Sequence, residues 1–143
     1  MKLLQNKPYQ ALWYTMLIIL LVSLIRSNSS LDLQLHDTYF VVATIQIGIP
    51  LCIVLGILGL AYWVVRTKKL VDWMTAVHVG IIAFSFLAII TATVTNSVVI
   101  RPSFKQYQVL SQMLTFLIVL LALAQLVFVL NLIISLTNNE KSL

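Results

Sequence analysis

Four apolar stretches, Tyr9–Ile25, Tyr39–Val65, Trp73–Val99 and Gln106–Leu136, dominate this 143-residue chain. Each is long enough to cross about 30 Å of hydrocarbon, which takes roughly 20 helical residues. Backbone in lipid must satisfy its own N–H and C=O groups, so each stretch reads as a helix. The expected fold class is an all-α membrane protein, one domain of four transmembrane helices over residues 1–143. Composition agrees, with 61% hydrophobic and only 9% charged residues, against about 45–50% and 25% in soluble domains. A cleavable signal peptide competes for the first stretch. Its apolar run exceeds the usual short h-region, and Ser27-Asn28-Ser29-Ser30 is a poor small-x-small cleavage site, so we read a helix.

Charge orders the segments between the spans. Lys2, Lys7, Arg66, Lys68, Lys69 and Lys141 fall on one side and Arg26, Arg101 and Lys105 on the other. The positive-inside rule then places both termini in the cytoplasm and faces the Arg26–Asp37 loop and the Arg101-Pro102 turn outward. The bases are scattered rather than gathered on one face, which argues against nucleic-acid binding. Tyr9, Trp13, Tyr14, Tyr39, Tyr62, Trp63, Trp73 and Tyr107 lie near span ends, as aromatic belts do. Pro50 and Gly48 are expected to kink the second span.

Polar side chains within the spans mark an inward surface. On the third span, at about 100° per residue, Thr75, His78, Ser85, Thr93 and Asn96 share a sector of roughly 100°. Ser111, Thr115, Ala122 and Gln125 share a similar sector on the fourth, where Asn131 and Ser135 point elsewhere. The second span adds Thr44 and Gln46. Two readings stand: hydrogen-bond glue between helices, or the lining of a cavity. His78, the one ionisable group well inside a span, is either a satisfied packing histidine or a ligand.

Cys52 is the single cysteine, so a disulfide framework is excluded. There is no H-E-x-x-H, C-x-x-C, G-x-G-x-x-G or P-loop. With His36 outside and His78 towards the inside, the two histidines and Cys52 cannot converge on a transition metal within one protomer. Asn28-Ser29-Ser30 fits a glycosylation acceptor, informative only in a eukaryotic secretory chain.

One segment stands apart from generic membrane sequence: Leu35-His36-Asp37-Thr38-Tyr39-Phe40-Val41-Val42-Ala43, at the outer mouth of the second span. His36 and Asp37 set an imidazole beside a carboxylate, and Thr38 and Tyr39 add hydroxyls. Such a group either holds a hydrated divalent cation or caps the helix through Asp37 or Thr38.

The segment resembles the signature of haem-copper oxidase subunit I, the catalytic subunit of cytochrome c and quinol oxidases. The family pattern is L-H-D-T-Y-[FY]-V-V-A-H-F-H, and its first nine positions match. There the motif opens the tenth of twelve helices, entering from the outer side as the second span does here. Tyr62-Trp63 matches a Tyr-Trp pair near that helix's end, Trp73 and His78 a W-x-x-x-H-like start with one extra residue, and Arg101-Pro102 an outer Pro-Arg-Arg-like element. The resemblance thus implies that the four spans correspond to the last four helices of the subunit.

It also implies losses. The two family histidines that ligate the haem irons are replaced by Thr44 and Gln46, neither of them a haem ligand. The copper-binding helices have no counterpart, so haem and copper are expected to be absent and oxygen reduction is excluded. What carries over is the outer His-Asp pair, His36 and Asp37, which in the family helps bind magnesium, and Arg101, which matches an arginine contacting haem propionates.

The family's twelve helices form three four-helix arcs, so three copies of this chain would restore one closed ring, in keeping with the preference for cyclic symmetry. Three functions compete: a haem-free, non-catalytic, self-assembling scaffold with a polar outer site; an accessory subunit or assembly factor of a respiratory oxidase; or a small pore or lipophilic-ligand carrier flanked by Thr44, Gln46, Thr93 and Gln125. The expected setting is the bacterial cytoplasmic membrane, with lipid and further copies of the chain as partners.

Overall fold

The computed structural model describes residues 7–35, 38–68, 70–96 and 104–140. Four helices, α1 (Pro8–Ile25), α2 (Thr44–Val64), α3 (Asp72–Asn96) and α4 (Phe104–Glu140), carry the chain. All four are long and apolar enough to cross a membrane. Their outward faces are rows of large apolar side chains, among them Leu17 and Leu21 on α1, Ile53 and Ile57 on α2, and Phe116 and Leu126 on α4. Such faces suit lipid as solvent and would aggregate in water.

α1 starts at Pro8, whose missing N–H costs nothing in a first turn. α2 runs unbroken through Pro50. Gly48 has a role beyond flexibility: a Cβ there would collide with the Ser23 hydroxyl of α1, and one at Gly59 would collide with the Trp13 indole. Between them the Cys52 thiol reaches the Met16 carbonyl at 3.5 Å. Small residues at 48, 52 and 59 therefore let α1 and α2 approach closely, the usual basis of helix association where lipid removes the hydrophobic drive.

α3 is the central element, packing on α1, α2 and α4. Leu12, Ile19, Leu55, Val79, Ile82 and Ile90 meet there in the main apolar core. α4 contributes through a heptad, Leu110, Leu117, Ala124 and Asn131, all buried, with Leu110 packed on Ala92 of α3 and Asn131 bonded to Thr75. A seven-residue step advances a helix by only about 20°, so this row keeps one face on its neighbour.

The second span begins later than the sequence indicates. Residues Thr38–Ala43 form a strand, β2, paired antiparallel with β1 (Ser30–Leu35), and the register runs from Ser30 opposite Ala43 to Leu35 opposite Thr38. Tyr39, Phe40, Val41 and Val42 are aromatic and β-branched types that suit a strand, and an apolar-length criterion does not separate them from the helix that follows. Ala43, not Asp37 or Thr38, is the α2 N-cap, so capping of this helix by the His36-Asp37 segment is overturned. The resemblance, which opens the helix within the motif, is departed from at the same point. A two-stranded hairpin is marginal alone; this one rests on α3 and α4 through β1.

Candidate functional site

α3 carries a row of buried polar side chains. Thr75, His78, Ser85 and Thr93 are each no more than 2% exposed. Thr93 is satisfied within its own helix, its hydroxyl donating to the Ile89 carbonyl at 2.9 Å.

The densest constellation surrounds His78. The Tyr62 hydroxyl of α2 lies 2.8 Å from the imidazole Nδ1. Phe128 of α4 stacks on the ring with centroids 5.1 Å apart and planes 24° from parallel, and also meets Tyr62 at 5.0 Å. Gln125, one helical turn before Phe128 and half-buried, lies beside the imidazole. Nε2 is nonetheless buried with no hydrogen-bond partner of proper geometry. Three helices thus converge on one imidazole, which ties α2 to α4 across α3.

A second polar junction lies one turn towards the start of α3. Asn131, fully buried on α4, accepts from the Val71 N–H at 2.8 Å and donates to the Thr75 hydroxyl at 2.9 Å, with a longer contact to the Val71 carbonyl at 3.4 Å. Its amide therefore takes up an N–H that the first turn of α3 leaves without a helical partner. Ser135, one turn on, is buried with an unpartnered hydroxyl, as is Ser85.

At the hairpin end, Thr44 is fully buried, and both its N–H and its hydroxyl donate to the Ser29 carbonyl, at 2.8 and 2.9 Å. Gln46 is exposed, and its Oε1 accepts from the Ala43 N–H at 3.0 Å, capping its own helix. Gln46 is therefore no part of a polar interior.

The fourth span differs most from expectation. Ser111, Thr115 and Ala122 are exposed, while Asn131 is buried against α3 and Ser135 is buried too. Thr115 satisfies its hydroxyl on the Ser111 carbonyl at 2.9 Å, so it needs no interhelical partner. His36, Asp37 and Arg101 lie outside the described residues, as do the side chains of Thr38, Tyr39 and Asn96. Among the described residues no three His, Cys, Asp or Glu side chains converge.

The reading by polar residues also misses Tyr62 and Asn131. Tyr62 resembles one more belt aromatic, and no single-span pattern reveals that it faces His78. Asn131 was discoverable: it completes the Leu110, Leu117, Ala124 heptad. No family model, curated protein or solved structure matches the chain.

Proposed function

We propose that this chain is a haem-free, non-catalytic integral membrane protein resembling the C-terminal third of haem-copper oxidase subunit I, assembling as a homotrimer in a bacterial cytoplasmic membrane with both termini inside. The observation that carries the haem-free reading is the use made of the two positions that match the haem ligands. Thr44 is bound to the Ser29 carbonyl and anchors the hairpin; Gln46 caps α2. Both side chains are committed to local structure, and neither a hydroxyl nor a carboxamide is a haem-iron ligand of the usual kinds.

Self-assembly is supported by the outer half of α4. Gln108, Ser111, Gln112 and Thr115 follow the i, i+3, i+4, i+7 spacing of a single face, and all four are exposed. A carboxamide in or near hydrocarbon is favoured when it faces protein, and Gln carries both donors and an acceptor, so it suits hydrogen bonding to another copy. In the same reading His36 and Asp37, next to each other in the sequence, form an outer polar site for a magnesium ion.

Gln112→Cys on a Cys52→Ser background, cross-linked in native membranes with a trifunctional maleimide that can join one thiol from each of three copies, tests the assembly. Adducts ending at three copies support it. Cross-links only to oxidase subunits would favour the accessory-subunit role instead.

A further inference from the structure

Six of the nine bases, Lys2, Lys7, Arg66, Lys68, Lys69 and Lys141, belong to the segments before α1, between α2 and α3, and after α4, against two acids, Asp72 and Glu140. Trp13 packs at Gly59, so the start of α1 and the end of α2 lie at the same end of the bundle. There Lys7, Arg66 and Lys68 are all exposed. Arg66 sits in the 3-10 turn Val65–Thr67 that leaves α2, with its guanidinium carbon 4.8 Å from the centroid of the Trp63 ring.

That stacking has two effects. Trp63 is 42% exposed and, as an amphipathic ring at a span end, sits at headgroup depth; it fixes the height of the cation. A guanidinium carbon held over the ring leaves N–H groups on the side away from it, and these can bind phosphate. Lys68 adds a point charge two residues on, and the exposed Trp73 stands at the start of the next helix. The surroundings supply the complementary charge, because a chain with four spans presents this end to lipid headgroups.

We propose that this end of the bundle binds an anionic phospholipid, its headgroup phosphate held by the stacked Arg66 guanidinium and by Lys68. A zwitterionic lipid offers the same phosphate with its charge cancelled, so the site discriminates by net charge. The proposal is independent of the oligomeric state.

All three tryptophans, Trp13, Trp63 and Trp73, lie at this end, which makes their fluorescence a local reporter. The full chain is reconstituted in phosphatidylcholine vesicles containing a minor fraction of brominated phosphatidylglycerol, or of brominated phosphatidylcholine, and quenching is compared. The expected result is an apparent phosphatidylglycerol enrichment of at least about fivefold, the order for each base engaged at the surface. It should fall severalfold in the Arg66→Gln/Lys68→Gln variant, persist in Arg26→Gln, whose base lies at the opposite end, and fall in the unmodified protein at about 0.5 M salt, where surface charges are screened. Equal quenching by the two lipids in the unmodified protein would overturn the proposal, as would an enrichment unchanged by salt or by the double substitution.

Discussion

The hydroxyl of Tyr62 and Nδ1 of His78 lie 2.8 Å apart, on helices that are consecutive in the chain, in a pocket closed by Phe128 from a third helix. The bond is buried, and the other ring nitrogen of His78 has Gln125 beside it but no hydrogen bond of proper geometry. His78 is consequently a packing centre whose position depends on Tyr62.

Tyr62→Phe keeps the ring and removes the bond. Interhelical hydrogen bonds in membranes contribute about 0.6 kcal/mol on average and up to about 1.7, and the stranded Nδ1 places this one near the upper limit. The thermal midpoint in detergent should fall by a few degrees, with helix content by circular dichroism unchanged. His78→Phe, which removes the buried polar group along with its bond, should cost less than His78→Ala, which also leaves a cavity.

Asn131→Leu removes every partner of the Val71 N–H and the Thr75 hydroxyl across the α3–α4 junction. A loss of roughly 1–3 kcal/mol is expected for the unpaired buried groups. Hydrogen exchange at Val71 should accelerate strongly in this variant, whereas exchange in the middle of α3 should not.

The glycines separate close approach from free space. Gly59→Ala places a methyl in the Trp13 indole and Gly48→Ala one on the Ser23 hydroxyl; each should destabilise by about 1–3 kcal/mol through overpacking. Gly80→Ala meets nothing within 4 Å and should be neutral or stabilising, by up to about 1 kcal/mol from helix propensity. Thermal unfolding of the three variants in one detergent gives the comparison.

What a single helix reveals about itself was readable in the sequence. The Thr75, His78, Ser85 and Thr93 stripe of α3 follows from a period near 3.6 on a helix whose one polar face meets its neighbours. Four apolar lengths likewise announce four helices. Relations between helices were not readable: Tyr62 faces His78 only because α2 and α3 pack at one particular register. On α4 the polar residues mislead, because the Leu110–Asn131 heptad, not polarity, sets the buried face. The hairpin is not legible because Tyr39 to Val42 satisfies an apolar-length test and a strand propensity equally well.

For the outer site, elemental analysis of the dialysed, purified protein should return a stoichiometric divalent ion in the unmodified chain and none in His36→Ala/Asp37→Ala. Metal-free protein that retains its thermal midpoint on addition of magnesium would remove the site.

The most direct measurement is the protein mass of the detergent-solubilised particle by native mass spectrometry, read with its visible absorption spectrum. The account predicts three copies of the 16.1 kDa chain and no Soret band. A uniform single copy across mild detergents would contradict the assembly, and a Soret band in stoichiometric amount would contradict the assignment of Thr44 and Gln46 to purely structural roles.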